Sequence, residues 1–258
     1  MQIPFFKYEA TGNDFVIIDN RKKVFSFSID QIKKICDRKF GIGADGLMLI
    51  EPHPYLDFNL IYYNSDGTSS LCGNGSRAAV ALASSLHMLK SKTQFNAYDG
   101  AHEATLLADR TVRLKMNNVL TAQSMPTGTF INTGSPHFIQ VVQDVERFPI
   151  IEVGKRIRYS KDFGTAGTNV NFIQLLPNNS IFVRTYERGV EDETLSCGTG
   201  VTASALAAYM EGYRSPVKIK TLGGELSVEF TANSDGSFTN IYLIGPARKV
   251  FEGIFEMS

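Results

Sequence analysis

Two cysteines stand in the same short motif at distant places in the chain. Cys72 opens Cys-Gly-Asn-Gly and Cys197 opens Cys-Gly-Thr-Gly, and the small, mostly apolar residues after each motif predict a buried helix. The first N–H groups of a helix have no partner inside it and carry partial positive charge. Each motif therefore predicts a place that binds an anion and favours thiolate over thiol. The glycines leave room for a substrate carboxylate at four backbone amides, those of Gly73, Asn74, Gly198 and Thr199.

A pair of such thiols suits proton transfer at the two faces of one carbon. To invert a carbon that bears an acidic hydrogen, a base removes the proton from one face and an acid returns a proton to the other. If two related domains meet at a cleft, Cys72 and Cys197 lie on opposite sides of the bound molecule, one as thiolate and one as thiol. We expect this reaction to need neither pyridoxal phosphate nor a metal ion.

The cysteine motif belongs to a set of landmarks that occur twice in the same order. Residues 11–17 are echoed by residues 133–139, and the offset between the two copies, roughly 122 to 125 positions, is nearly the same for the cysteines. Collinear matches at one offset indicate a duplication. We therefore predict two similar domains, one formed by residues 1–118 with the closing segment 248–258, and the other by residues 119–247.

The elements around the cysteines have the same order in both halves. Before each cysteine, two short apolar runs flank a turn that contains proline, which predicts a hairpin. The helices that follow, residues 76–88 and 201–210, are apolar on nearly all sides and belong in an interior. Because the remaining segments are typical of short strands, we predict an α/β protein of two pseudo-symmetric domains, each a curled mixed sheet or pseudo-barrel around a central helix.

An outer helix is also predicted in the first half. Ser28 and Gln31 have the spacing of a capping box, so the helix begins just after Ser28. Ile29, Ile32, Ile35 and Cys36 are predicted to share its apolar face, which makes Cys36 a core residue.

The composition of the chain excludes a disordered protein, a collagen and a coiled coil. The chain has 258 residues, 43% of them hydrophobic, and 26 basic side chains balance 26 acidic ones, as in a globular protein. Without a basic cluster or a long apolar run, nucleic acid and membrane are not expected partners. Three cysteines do not form a disulfide framework, which favours the cytoplasm. The oligomeric state is left open, a homodimer included.

Several longer blocks resemble one known family. They include Gly12-Asn13-Asp14-Phe15, Gly41-Ile42-Gly43-Ala44-Asp45-Gly46, Asn64-Ser65-Asp66-Gly67 and the stretch from Glu193 to Gly200. Over essentially its full length the chain is similar to the diaminopimelate epimerases. That resemblance implies cofactor-independent interconversion of LL- and meso-diaminopimelate, in lysine and cell-wall precursor synthesis, with Cys72 and Cys197 as the acid and base.

The resemblance also implies how the rest of a diaminopimelate molecule is held. Its second amino-acid head does not react, but it carries an ammonium and a carboxylate that must be recognised. Arginine can clamp a carboxylate, glutamate can pair with an ammonium, and asparagine both donates and accepts. The residues concerned are Asn13, Asn64, Asn169, Glu187 and Arg188, and His137 is implied to lie close to the reacting centre.

Two positions depart from the family's pattern. The family often has asparagine where this chain has Ser135, whose shorter hydroxyl is expected to reach the distal head only through water. Some members have glutamine where Gly46 stands, so that contact is expected to be missing.

Alternatives remain open for the motifs. Gly41-x-Gly43-x-x-Gly46 matches a dinucleotide fingerprint, but a strand is predicted where that motif requires a helix. The two cysteines could be core thiols or a redox pair that forms a disulfide. Together with His137 they lack the compact ligand spacing of a structural zinc site. Asn64 and Asn169 could serve only as turn residues, and Glu187 and Arg188 could be a solvated ion pair.

Alternatives also remain open for the activity. A racemase or epimerase of proline, hydroxyproline or histidine would use the same fold and thiols. A small-molecule binding protein would keep the cleft, although it would not need both cysteines. Asn74, Glu187 and Arg188 favour diaminopimelate over these substrates.

Overall fold

The chain divides into two compact units in the computed structural model, which describes residues 1–70 and 72–257. The first unit comprises Met1–Leu114 and the C-terminal segment that begins at Gly245, and the second comprises Lys115–Ile244. Predicted boundaries at 118/119 and 247/248 lie a few residues further along the chain. Their assignment as the borders of two functional halves stays a prediction.

The first unit is a mixed sheet with two helices. Its sheet runs in the order β17-β1-β2-β3-β4-β5-β6-β7, with β2/β3 and β4/β5 parallel and the other neighbours antiparallel. The helices are α1 (Ile29–Cys36) and α2 (Gly73–Ser85). The strands are β1 (Gln2–Ala10), β2 (Asn13–Asp19), β3 (Gly46–Glu51), β4 (Phe58–Asn64), β5 (Lys92–Ala97), β6 (Gly100–Leu106), β7 (Val112–Lys115) and β17 (Arg248–Glu256).

The second unit has the same plan. Its sheet runs β8-β9-β10-β11-β12-β14-β15-β16, with β10/β11 and β12/β14 parallel, and the short β13 (Asp192–Thr194) also pairs with β12. Its helices are α3 (Ile150–Arg158) and α4 (Gly198–Met210), with a 3₁₀ turn at Lys161–Phe163. The strands are β8 (Ala122–Met125), β9 (Gly128–Asn132), β10 (Pro136–Val141), β11 (Asn169–Leu176), β12 (Ser180–Glu187), β14 (Val217–Thr221), β15 (Gly224–Ala232) and β16 (Phe238–Gly245).

Strand pairing in the two units matches step by step. In each sheet the described strands pair antiparallel, antiparallel, parallel, antiparallel, parallel, antiparallel and antiparallel. An outer helix fills the first parallel crossover and the helix after the cysteine fills the second. The two units therefore repeat one arrangement of strands and helices. This confirms the predicted α/β class with two repeated halves.

Each helix that follows a cysteine is surrounded by its own sheet. Helix α2 packs against β1, β2, β3, β4, β6 and β17, and α4 packs against β9, β10, β11, β12, β14 and β15. Alanine, glycine and serine dominate both helices, so strands can approach on several sides and the sheet curls around the helix. Helix α2 ends at Ser85, three residues before the predicted end, because His87 adopts a left-handed conformation with φ 56°.

The outer helix α1 is built as its sequence predicts, with one exception. Ser28 caps it through a complete capping box with Gln31. Ile32, Ile35 and Cys36 are buried against the sheet, and burial raises the pKa of the Cys36 thiol to about 11. The prediction for Ile29 was wrong, because this first-turn residue remains 56% exposed. Cys36 is therefore a core residue.

We predict that Ser28→Ala lowers the free energy of unfolding by about 0.5–2 kcal/mol, since the first turn of α1 loses its side-chain acceptor. Urea denaturation measures this change. Ser26→Ala is the matched control, because Ser26 is exposed and lies outside the helix. Equal stability of the two variants would show that the capping box contributes nothing.

Candidate active site

Cys72 occupies the N-cap of α2. Its backbone is extended, with φ −127° and ψ 110°, and its Sγ accepts a hydrogen bond from the Gly75 N–H at 3.4 Å. The same sulfur lies 3.6 Å from Asn13 Oδ1, to which the thiol can donate. It therefore contacts both the first turn of α2 and the start of β2.

Asp45 fixes the orientation of the Asn13 amide. Asn13 Nδ2 donates to Asp45 Oδ2 at 2.5 Å, so Oδ1 is the atom that faces Cys72. Arg38 donates in turn to the other oxygen of Asp45 at 2.7 Å. The predicted substrate ligand Asn13 is thus held in place by residues that sequence reasoning did not assign.

Asp14 joins the same network. Arg38 binds its carboxylate through two nitrogens at 2.7 and 3.0 Å, and Lys7 forms an ion pair with it at 2.6 Å. Burial alone would raise the pKa of Asp14, but the hydrogen bonds and charges of Arg38 and Lys7 hold that pKa well below its usual value. Asp14 and Asp45 lie within the sequence blocks 12–15 and 41–46 that resemble the family, and this was the only sign in the sequence that pointed to the network.

Two further asparagines of this unit bind their own chain. Asn64 ends β4, and its Nδ2 donates to Thr68 Oγ1 at 3.0 Å and to Ser70 Oγ at 3.2 Å. These bonds fit the role of a turn residue considered above. Contact between Asn64 and a substrate stays a prediction, and it would require Asn64 to give up these hydrogen bonds. Asn74 is 3% exposed, and its Nδ2 lies 3.5 Å from Asn13 Oδ1, the acceptor that also faces Cys72.

Tyr62 takes up the space beside Gly46. A Cβ atom at position 46 would lie 2.3 Å from Tyr62 Cε2 and 2.7 Å from Tyr62 Oη. The glutamine found here in some relatives therefore cannot be accommodated without moving the tyrosine ring. The presence of glycine at position 46 therefore goes together with the position of the Tyr62 ring on β4.

Cys197 occupies the corresponding N-cap of α4. Its backbone has φ −115° and ψ 113°, close to the values of Cys72, and its carbonyl accepts from the Val201 N–H at 2.8 Å. The side chain is buried, with Sγ 3.5 Å from Thr199 Oγ1. Both motifs thus deliver a cysteine to the first turn of a central helix.

His137 is linked to Cys197 by a chain of hydrogen bonds. Thr185 Oγ1 donates to Asn171 Oδ1 at 2.9 Å, which turns Asn171 Nδ2 toward His137 Nδ1 at 3.1 Å. With Nδ1 accepting, His137 Nε2–H donates to Thr199 Oγ1 at 2.9 Å, and the Thr199 hydroxyl is left to donate to Cys197. Complete burial, and then the charge of Arg188, lower the pKa of His137 to about 3, so the ring is neutral.

Gly200 is required by this chain of contacts. A Cβ atom there would lie 2.4 Å from Asn171 Oδ1 and 3.2 Å from His137 Cε1. The second glycine of the Cys-Gly-Thr-Gly motif therefore lets the polar chain pass close to α4. Asn171 and Thr185 were missed from the sequence, although Asn171 stands two positions after Asn169 and so shares its face of the strand.

Asn169 ties together two of the predicted residues. Its Nδ2 donates to Ser135 Oγ at 3.1 Å and to the Pro136 carbonyl at 2.9 Å. Its Oδ1 accepts from the Arg188 N–H at 2.9 Å. Asn169 thus fixes the backbone from which the Arg188 side chain extends.

Glu187 is the last residue of β12, and Arg188 follows it directly. Glu187 Oε2 accepts from Thr194 Oγ1 at 2.8 Å. The half-buried guanidinium of Arg188 has no hydrogen bond or ion pair among residues 1–70 and 72–257, so it is available to a ligand. The structure therefore gathers the candidate residues into two sets. Asn13, Asn64, Cys72, Gly73 and Asn74 lie in the first unit, and Ser135, His137, Asn169, Glu187, Arg188, Cys197, Gly198 and Thr199 in the second.

Two negative observations apply to the described part of the chain. Its helices include none that is long and apolar enough to cross a membrane. No group of three or more His, Cys, Asp or Glu side chains in it is arranged to hold a metal ion.

Comparison with solved structures defines the class. A phenazine biosynthesis protein of the PhzF family from Bacillus anthracis superposes with a TM-score of 0.77 at 14% identity, over 100% of both chains. A hydroxyproline epimerase from Agrobacterium vitis superposes with a TM-score of 0.66 at 13% identity, over 98% of this chain and 92% of that one. At these identities the likeness shows only that the three proteins share a fold.

Sequence comparison then gives the family. The diaminopimelate epimerase family model matches residues 5–121 and 129–250. The chain is 48% identical over 252 residues to the diaminopimelate epimerase of Flavobacterium psychrophilum, covering 96% of this chain and 98% of the relative. It is 40% identical over 272 residues to that of Aquifex aeolicus, covering 96% of each. The chain therefore belongs to the diaminopimelate epimerase family and is an isomerase, which confirms the resemblance seen in its sequence blocks.

We predict that His137→Gln reduces the loss of stability in acid. His137 has a pKa of about 3 when folded against an ordinary value of 6.5, so the unfolded chain binds more protons between these values and folded parent protein loses stability as pH falls through them. The free energy of unfolding, measured by urea denaturation from about pH 7 to about pH 4, should fall less in the variant. Parallel curves for variant and parent would contradict a buried neutral His137.

Proposed function

We propose that this chain interconverts LL- and meso-diaminopimelate, with Cys72 and Cys197 as the acid and base that act on one α-carbon. Membership of the family over both halves supports the substrate and the reaction. The observation that carries the mechanism is that each unit has a cysteine at the N-cap of a buried helix. The two cysteines thereby stand at equivalent positions along their helices.

The helix ends supply much of what a thiolate needs. A cysteine with an ordinary pKa of roughly 8.5 is only slightly ionised at neutral pH, and half ionisation requires about 2 kcal/mol. One helix N-terminus contributes about 0.3–1 kcal/mol, and up to about 2 kcal/mol in partly buried sites. A substrate ammonium would supply the remainder. One of the two cysteines can therefore be a thiolate while the other remains a thiol.

The proton transfer is balanced between the two sulfurs. The thiolate removes the α-proton and becomes a thiol, and the electron pair of the broken C–H bond moves into the α-carbon and its carboxylate. The second thiol gives its proton to the opposite face of that carbon and becomes a thiolate. Reversal of the reaction exchanges the two roles, so each stereoisomer is substrate in one direction.

Backbone amides at the helix starts would bind the reacting carboxylate. The N–H groups of Gly73 and Asn74 begin α2, and those of Gly198 and Thr199 begin α4. They are aimed at the group on which negative charge grows during proton removal, which stabilises the transition state. His137, through Thr199, would keep the hydroxyl beside Cys197 oriented.

The distal head of the substrate would be held by the remaining candidates. Arg188 offers a bidentate fork without a partner among the described residues, and it suits the distal carboxylate. Glu187 suits the distal ammonium, with Asn13, Asn64 and Asn169 as further polar ligands. Ser135 already accepts from Asn169, so its contact with substrate would pass through water.

The remaining proposals concern the cofactor, the biological role, the location and the assembly of the protein. The reaction is proposed to use no cofactor and to serve lysine and cell-wall precursor synthesis in the cytoplasm, and a homodimer is one proposed assembly. The two units are proposed to act as the two halves of one epimerase.

We predict that LL-diaminopimelate incubated with the protein in heavy water acquires deuterium at the α-carbon with inversion. Cys72→Ala and Cys197→Ala should each abolish epimerisation, because each removes one of the two proton carriers. Cys36→Ala is the matched control, since Cys36 is a core thiol and should leave the rate unchanged. Deuterium incorporation and chiral chromatography measure exchange and inversion.

The same assay distinguishes the alternatives. Exchange on proline, hydroxyproline or histidine in place of diaminopimelate would assign a different amino acid. Oxidation of thiols without exchange would assign a redox role. Ordinary epimerisation by Cys72→Ala would refute the two-thiol mechanism.

We predict that Arg188→Ala raises KM for diaminopimelate by about tenfold to a hundredfold, as expected for loss of a charge-assisted hydrogen bond worth about 1.5–3 kcal/mol. Steady-state kinetics measure the change, and Arg147→Ala, at an arginine that is 91% exposed, is the control. An unchanged KM in Arg188→Ala would remove this residue from the distal site.

A further inference from the structure

Arg77 is a buried cation that the proposed mechanism does not use. It lies in α2, five positions after Cys72, and is 0% exposed. Its Nη2 donates to Thr11 Oγ1 at 3.1 Å, whereas Nε and Nη1 are buried without a hydrogen-bond partner among residues 1–70 and 72–257. A charge held in this way is costly unless an opposite charge forms nearby.

The position of Arg77 connects it to Cys72. Thr11 begins the turn between β1 and β2, and that turn continues to Asn13, whose Oδ1 contacts Cys72 Sγ at 3.6 Å. The guanidinium and the sulfur are therefore bound to the same short turn and to the same end of α2. We propose that Arg77 is a positioning residue for the proposed epimerisation, and that its buried positive charge stabilises the thiolate of Cys72.

The charge states of the two groups are consistent with this role. Burial lowers the pKa of Arg77 to about 10, which leaves it positive at neutral pH, and Cys72 is the first group that acts to raise this pKa. Interactions between two titrating sites are reciprocal, so the thiolate that favours protonated Arg77 is favoured by it.

Three elements packed on α2 bring other groups toward this pair. Glu9 of β1 is half-buried and also attracts Arg77, so its carboxylate opposes the effect on Cys72. Asn13 of β2 accepts from the thiol and so favours the protonated form, while Met48 of β3 packs on Gly75 without charge. The contact with Asn13 is long and neutral, whereas Arg77 carries a full charge removed from water, so we expect the effect of the charge to be the larger of the two.

In the second unit no cation stands at the matching position of the central helix, and the charge that acts on the chain at Cys197 is that of Arg188, which lies just after β12. The residue five positions after Cys197 is Thr202, which is fully buried and donates to the Gly198 carbonyl at 2.9 Å. Cys197 instead lies beside the neutral hydroxyl of Thr199. We therefore expect the proton affinities of the two cysteines to be set by different means.

The test is the pH dependence of alkylation by iodoacetamide, followed at each cysteine by mass spectrometry. The midpoint of such a profile reports ionisation and is insensitive to differences in access. In Arg77→Met the midpoint of Cys72 should rise by about 1 pH unit or more, while that of Cys197 stays in place. Arg77→Lys should restore most of the shift, because it retains the charge. Thr202→Val is the matched control and should leave the midpoint of Cys72 unchanged.

Parent protein provides a measurement that does not depend on a variant that folds. There the midpoint of Cys72 should lie below that of Cys197, and Cys36 should remain unreactive at neutral pH. The reverse order, or the same Cys72 midpoint in folded Arg77→Met and parent, would overturn the role of Arg77. The assay contains no diaminopimelate. If the protein does not epimerise diaminopimelate but the Cys72 midpoint still shifts in Arg77→Met, only the proposed function is contradicted. If deuterium exchange occurs but the Cys72 midpoint does not shift, only the role of Arg77 is contradicted.

Discussion

The unsatisfied amides at the start of a buried helix are the constraint on which the structure depends. For α2 and α4 to begin beside a reactive group, each must be enclosed by strands on several sides, which requires side chains as small as alanine and glycine. A curled sheet provides that enclosure, and the cysteine at the N-cap is held where the helix field is strongest. The crossover that contains each central helix thereby fixes the position of the sulfur.

Duplication has preserved this frame while the surroundings of the two sulfurs have diverged. In the first unit, charged side chains orient Asn13, and the buried guanidinium of Arg77 binds Thr11 in the turn before Asn13. In the second, a neutral chain through Asn171 and His137 ends at the hydroxyl beside Cys197. One architecture therefore surrounds one sulfur with a charged network and the other with a neutral chain of hydrogen bonds.

Local patterns made much of this predictable from the sequence. The repeated motif placed both cysteines at helix starts, and the capping box at Ser28 appears as expected. Contacts made across the fold were not predictable. Asn13 and Asp45 are 32 positions apart, and Asn171 joins the hydrogen-bond chain at His137 only because β11 passes Gly200 at close range. Ile29 failed for a related reason, since the periodicity of a helix does not show where its neighbours stop covering it.

The pairing of β1 with β17 has a consequence for how the chain is made. All of the second unit lies between these two strands in sequence, so the sheet of the first unit cannot be completed until the whole second unit has left the ribosome. The second unit is continuous and can fold during synthesis, whereas the first must wait with the edge of β1 unpaired. We therefore expect the second unit to finish folding before the first, although the first begins earlier in the sequence. Chaperones that bind nascent chains would act first on β1.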